Sequence, residues 1–105
     1  MARWVRIAGT RECPPGQAME CIVESAVVAL FNVDGRYYAL DGVCPHQGGP
    51  LAKGRLAGCT VSCPWHGWQF DVATGEHTAN RRLRQRSFAV RVEGEEVLIE
   101  MEDAR

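Results

Sequence analysis

The run Ala26-Val-Val-Ala-Leu-Phe-Asn-Val33, the pair Asp34-Gly35 and the return Arg36-Tyr-Tyr-Ala-Leu40 decide the fold class of this chain. The first run is continuous, apolar and rich in β-branched residues, which suits a strand packed on both sides. Asp-Gly between two such runs is a strong local signal for a tight β-hairpin. Working outward, Trp4-Val-Arg-Ile7 alternates apolar and polar at period two. Ser87-Phe-Ala-Val-Arg-Val-Glu93 alternates in the same way, Gly94 turns the chain, and Glu96-Val-Leu-Ile-Glu-Met101 returns as a second hairpin. Pro14-Pro15-Gly16 breaks the early region, and no window of a dozen residues keeps a helical period without Gly or Pro. The expected class is all-β, small and antiparallel.

Composition sets the outer limits. The chain has 105 residues, 46% hydrophobic and 24% charged, which suits one domain, 1–105, with a modest core. A domain this small buries only about two-thirds of its unfolded surface, so a stapling group would help it. Twelve basic and thirteen acidic residues leave a net charge of −1, which argues against a whole-protein footprint for nucleic acid or an anionic membrane. The longest apolar stretch, Ala26–Val33, is too short to cross a bilayer, and Met1-Ala-Arg-Trp-Val-Arg-Ile7 lacks the apolar core of an export signal. A cytoplasmic location is expected. In that compartment the five cysteines, Cys13, Cys21, Cys44, Cys59 and Cys63, point to metal ligation or simple burial before disulfides.

Between the hairpins the composition changes. The segment of about 41–76 holds seven Gly, three Pro, two Trp and two of the three His, with few consecutive apolar residues. It reads as too poor in apolar runs for an ordinary sheet layer, so something other than hydrophobic burial must order it. Within it stand Cys44-Pro45-His46 and Cys63-Pro64-Trp65-His66, with sixteen residues between His46 and Cys63. Each begins Cys-Pro, and each His is followed within two residues by Gly. They form a local pseudo-repeat, two similar loops gripping one object from opposite sides. Proline removes a competing donor and glycine permits close approach, so such loops aim backbone N–H groups inward, toward sulfur. Two objects fit two Cys and two His: a structural zinc, or a two-iron, two-sulfide cluster. Zinc sites usually pair like with like at short spacing, whereas each loop here mixes the two types, which favours the cluster.

Cys44-Pro-His-Gln-Gly-Gly-Pro-Leu51 and Cys63-Pro-Trp-His-Gly-Trp-Gln-Phe-Asp-Val-Ala-Thr-Gly-Glu76 resemble the two cluster loops of Rieske-type proteins. The second box is most similar to those of soluble Rieske ferredoxins and ring-hydroxylating oxygenases. With the flanking hairpins, the resemblance covers essentially the whole chain. It implies a fold of three antiparallel sheets, a β base carrying a small cluster-binding subdomain at about 41–76. It also implies that Cys44 and Cys63 bind one iron of a [2Fe–2S] cluster, and that His46 and His66 bind the other through Nδ1.

The resemblance further implies a one-electron carrier. Two thiolates and two neutral imidazoles leave the cluster less negative than four thiolates, and protein and sulfide fill the irons' coordination, so no position opens for a substrate. A terminal oxygenase would need a second iron held by two His and a carboxylate. Only His77 remains uncommitted, so the chain reads as an electron-transfer component and not itself an enzyme. Its expected partners are a flavin-dependent NAD(P)H ferredoxin reductase and a terminal ring-hydroxylating oxygenase. The rivals are the small subunit of an NADH-dependent nitrite reductase and a zinc-stabilised binding module without a redox role. High-potential respiratory Rieske proteins carry an extra, disulfide-linked Cys in each loop and place Ser and Tyr hydroxyls near the cluster. The matching positions here are Gly49, Trp65, Trp68 and Phe70. Losing those donors destabilises the reduced state, so the expected potential is about −150 mV, at the bottom of the Rieske range.

The remaining conspicuous residues have plainer readings. Trp65 and Trp68 are either core aromatics or a shield beside His66. Gln47 reads as a solvated loop residue, His77 as a surface histidine, and Cys13, Cys21 and Cys59 as small apolar residues. Arg81-Arg82-Leu-Arg84-Gln-Arg86 is the one basic patch, either a solvated face or a steering surface for an acidic partner. The imidazole edges of His46 and His66 are the expected electron exit.

Overall fold

The computed structural model describes residues 2–44, 48–65 and 67–102. Ten strands run in order: β1 Ala2–Gly9, β2 Ala18–Val23, β3 Ala26–Val33, β4 Arg36–Asp41, β5 Arg55–Ala57, β6 Thr60–Ser62, β7 Gln69–Asp71, β8 Ser87–Phe88, β9 Val90–Glu93 and β10 Glu96–Glu102. They form three antiparallel sheets, ordered β1-β10-β9, β2-β3-β4-β8 and β5-β6-β7. Two short 3-10 turns, Thr10–Glu12 and Leu51–Lys53, complete the elements. No helix is long and apolar enough to cross a membrane among the described residues.

The apolar run Ala26–Phe31 of β3 has a simple cause. Successive side chains of a strand point to opposite faces, and here both faces are buried. Val28 and Leu30 enter a first core with Ala39, Val97, Ile99 and Met101, between the first two sheets. Ala29 and Phe31 enter a second core with Leu40, Leu51, Val61, Phe70 and Val72. β4 divides in the same way, Ala39 to one core and Leu40 to the other. Each large side chain so buried contributes roughly 1.5–3 kcal/mol, and β3 serves both cores. The Asp34-Gly35 pair takes φ of 52° and 92°, the doubly left-handed turn expected of a two-residue hairpin, and Val33 pairs with Arg36. Buried Asn32 locks that turn: its Oδ1 accepts from Gly35 N–H at 2.8 Å and its Nδ2 donates to Cys13 O at 2.9 Å.

The structure departs from the sequence reading in three places. The alternating run 87–93 is divided: β8 pairs with β4, whereas β9 pairs with β10 in a different sheet. Alternation alone does not reveal that a strand changes partners at Ala89. β2, not anticipated, pairs along β3 and buries Cys21 and Val23 while leaving Ile22 exposed. The segment of about 41–76 does hold a sheet. Its strands are only three residues long, with inward residues Leu56, Val61 and Phe70 as successive cross-strand partners. One or two apolar residues per strand are invisible as a run, yet they build one wall of the second core.

Candidate metal centre

The first loop leaves β4 at Gly42, whose N–H donates to Val27 O at 2.8 Å and whose carbonyl accepts from Leu51 N–H at 3.0 Å. Val43 and Pro50 form a bridge across its stem. At its mouth Cys44 N–H donates to Gly49 O at 2.8 Å, and Gly48 N–H donates back to Cys44 O at 2.8 Å. The second loop leaves β6 and closes in the same manner, Cys63 N–H donating to Trp68 O at 2.7 Å. Both closures join a cysteine N–H to the carbonyl five residues on, so the pseudo-repeat of the sequence is also a repeat of backbone geometry.

These two closures bring the cysteines together at one end of the second core. Cys44 is 1% and Cys63 2% exposed, and their thiols stand close enough to interact. Burial pushes the Cys63 thiol above its ordinary pKa and the Cys44 thiol adds to that, while the backbone N–H of Trp65, facing the Cys63 sulfur, pulls the other way. That inward N–H is the donor geometry expected of the loop. His46, its neighbours Pro45 and Gln47, and His66 lie outside the described residues. The structure therefore brings together the two thiols of the expected ligand set.

Close packing surrounds the thiols. A Cβ built on Gly49 would stand 2.8 Å from Cys63 Sγ and 3.1 Å from Trp65 Cγ. The two tryptophans separate in role. Trp65 stays 49% exposed at the rim, over Gly49. Trp68 packs against the second core and meets the His77 ring edge-on at 4.9 Å between centroids. His77 differs from its reading as a surface histidine. It is half-buried, packs on Phe70 at 5.4 Å, and its Nδ1 accepts N–H bonds from Ala79 and Asn80 at 3.1 and 3.2 Å. It props the back of the second loop.

The other cysteines have different settings. Cys13 and Cys21 lie in the first core, and Cys21 is pushed up to about 11 by burial, then by Cys13 and the nearby Glu12 and Glu20. Cys59 is half-buried at the edge of the second core, its thiol raised by burial and by Asp71 and lowered by the Ala73 N–H. All three take buried or half-buried positions that suit a small apolar side chain.

One residue of the site has no sequence signal. Gln85 sits between arginines, where a solvated side chain is the natural expectation, yet it is only 6% exposed. Its Nε2 donates to Asp41 O at 2.8 Å and also to Val43 O, the carbonyl next to Cys44. Its N–H donates to Gly75 O at 2.6 Å, and Arg86 O accepts from Asp41 N–H at 2.8 Å. The strap 76–86 thereby ties the stem of the first loop to the turn that follows the second.

Comparison with known proteins agrees with this architecture. Residues 3–100 match the model of the Rieske [2Fe-2S] domain. The ferredoxin component of a naphthalene 1,2-dioxygenase system from Pseudomonas aeruginosa is 31% identical over 100 residues, 94% of this chain and 96% of the relative. Among solved structures, the ferredoxin of carbazole 1,9a-dioxygenase from Nocardioides aromaticivorans IC177 superposes with a TM-score of 0.85 at 29% identity, over 91% of this chain and 95% of that one. A chain from the complex of reduced oxygenase and oxidized ferredoxin in carbazole 1,9a-dioxygenase gives a TM-score of 0.82 at 28% identity, covering 91% of each. A domain match over nearly the whole length, together with a full-length relative above 30% identity, establishes that the chain belongs to the Rieske [2Fe-2S] domain family.

Proposed function

We propose that Cys44, His46, Cys63 and His66 hold a Rieske [2Fe–2S] cluster, and that the chain carries single electrons from a flavin-dependent NAD(P)H reductase to a terminal ring-hydroxylating oxygenase. One observation carries the proposal: two loops with the same backbone closure bury two cysteine thiols side by side. The donor set fits the group. Two adjacent thiols serve one iron, the Trp65 N–H is already directed at the Cys63 sulfur, and Gly49 leaves the sulfur's flank free of a side chain. His46 and His66, each two or three residues beyond a cysteine, supply the nitrogen donors in this reading. A bound cluster supplies a one-electron couple with no open coordination position, hence transfer without substrate chemistry.

The chain's own residues do the rest. The second core and the paired closures hold the thiols in place, so electron gain requires little rearrangement. Trp65 covers Gly49 at the rim, while Trp68, Phe70 and His77 back the second loop. The names of the relatives, components of aromatic dioxygenase systems and a ferredoxin with its oxygenase, support the oxygenase as acceptor. A cytoplasmic site for this carrier, with residues 1–105 as one domain bearing the cluster subdomain at about 41–76, completes the reading.

Anaerobic purification followed by metal, sulfide and EPR analysis tests it. The expected result is about two iron and two acid-labile sulfide per chain, with a signal appearing on reduction. Colourless protein carrying one zinc overturns it. Reconstitution with a reductase–oxygenase pair, against reconstitution with a nitrite reductase large subunit, tests the acceptor.

A further inference from the structure

Two groups of arginines stand in contrast in this protein. On the first sheet and its neighbouring turns each has a carboxylate: Arg3 with Glu24, Arg6 with Glu96, Arg11 with Glu95 and Arg91 with Glu93. Arg81, Arg82, Arg84 and Arg86 take no carboxylate partner among the described residues, and all four are exposed. From His77 to Val92 the sequence contains no Asp or Glu to offset them.

Their place in the fold gives that charge a meaning. Gln85, in the middle of the run, is bonded to the carbonyls of Asp41 and Val43, so the strap lies against the stem that delivers Cys44. Its other end is tied behind the second loop: Thr78 N–H donates to Gln69 O at 3.0 Å and the His77 ring meets Trp68 edge-on, while His77 N–H donates within the strap to Leu83 O at 2.9 Å. Three large apolar residues are exposed on these same segments, Val43, Trp65 and Leu83. Apolar contacts within a like-charged surround make a surface that both steers and seats a partner.

We propose that the strap 81–86, with Val43 and Leu83, is a docking surface for a carboxylate-rimmed face of the electron-accepting oxygenase. This rests on the carrier function proposed above and adds the chemistry of the acceptor's face. A protein is favoured over nucleic acid because the run 81–86 contains no aromatic residue, and the ring of Phe88, two positions on, is covered by the Arg86 guanidinium at 4.7 Å. The bonds of Gln85 also set the strap's positive charge beside the stem that delivers Cys44. A net charge of −1 would repel an anionic acceptor, so a local positive field reverses the sign expected of the whole molecule.

That reversal is measurable without the natural partner. Reduced holoprotein is oxidised in a stopped-flow instrument by the anion Fe(III)-EDTA and, separately, by the cation hexaammineruthenium(III). Ionic strength is raised from about 0.01 to 0.15 M, which shortens the Debye length from about 30 Å to 8 Å. The expected result is a rate with the anion that falls about tenfold as salt rises, and a rate with the cation that does not fall. Arg81→Gln/Arg82→Gln, whose side chains make no hydrogen bond or ion pair among the described residues, should lose most of the salt dependence while keeping the visible spectrum. Arg6→Gln/Arg11→Gln, the same change of net charge on β1 and the turn after it, should keep it. A rate with Fe(III)-EDTA that rises with salt, or one that Arg81→Gln/Arg82→Gln leaves unaltered, overturns the docking surface and leaves the carrier function standing. Failure to reduce either acceptor overturns the carrier function and the docking surface with it. A deoxythymidine oligonucleotide that stays bound at about 0.15 M salt, and is released by Arg81→Gln/Arg82→Gln, makes the strap a nucleic-acid site instead.

Discussion

Gly49 and Trp65 lie against each other across the two loops, a Cβ on the glycine falling 3.1 Å from the indole Cγ and 2.8 Å from Cys63 Sγ. These are the positions at which respiratory Rieske proteins, by the resemblance noted above, link their loops with a disulfide. Here packing replaces the covalent link. Gly49→Ala should force the Cys63 side or the indole to move, at about 1–3 kcal/mol. The expected outcome is a lower yield of cluster per chain and faster loss of visible absorbance in air, with the two hairpin sheets intact by far-ultraviolet circular dichroism. Unchanged cluster content and lifetime would show that the contact is slack.

Gln85 makes the second prediction. Replacing it with Leu removes the donor to Asp41 O and Val43 O in a buried setting, at a cost of about 1–3 kcal/mol. Urea unfolding of Gln85→Leu should show that loss, and the cluster should be released earlier in the transition than in the native protein. A midpoint within error of the native one would remove Gln85 from the support of the first loop.

The third concerns ligand identity. Cys59 is only half-buried, at the edge of the second core. Cys59→Ala should leave iron, sulfide and the visible spectrum unaltered, whereas Cys44→Ala and Cys63→Ala should each bleach the protein. Bleaching by Cys59→Ala would put a third thiolate in the ligand set.

The fourth is the midpoint potential. Trp68 and Phe70 offer no hydroxyl at the positions where higher-potential relatives are expected to place one, and Phe70 is fully buried. Without those hydrogen bonds to sulfur the reduced state is less stabilised, so voltammetry should give about −150 mV. A value of about +100 mV or higher would mean that other donors supply the stabilisation.

The fifth is a dependence on alkaline pH. Cys21 rises from 9.0 to about 11 in the fold, chiefly through burial. The native state then keeps a proton that the unfolded chain releases, so its contribution to stability is whole below pH 9 and is lost as pH rises toward about 11. Chemical denaturation across that range should show falling stability, and Cys21→Ala should flatten its share of the slope, of the order of 1–2 kcal/mol. An identical slope in the variant would assign the alkaline loss to other groups.

Much of the architecture is written in local pattern. Ala26–Val33 with Asp34-Gly35 specifies a two-sided strand and its turn, because period and turn chemistry act over a few residues. The two Cys-Pro boxes mark the candidate metal loops for a similar reason, since ligand type and spacing are local properties. The structure adds that both loops close by the same five-residue bond and meet through their thiols.

What the chain sequence could not supply is everything that depends on distant segments meeting. Whether the arginine run lay near the cluster loops or far from them was undetermined, because nothing within 81–86 records its neighbours. Buried Gln85, joined to carbonyls forty-odd positions earlier, settles it. Equally, the division of 87–93 between two sheets depends on β4 and β10 competing for one segment, and His77 becomes a prop only because Trp68 and Phe70 fold beneath it. Periodicity and ligand spacing are short-range and survive in one dimension; hydrogen bonds and ring contacts across the chain exist only once the two cores have formed.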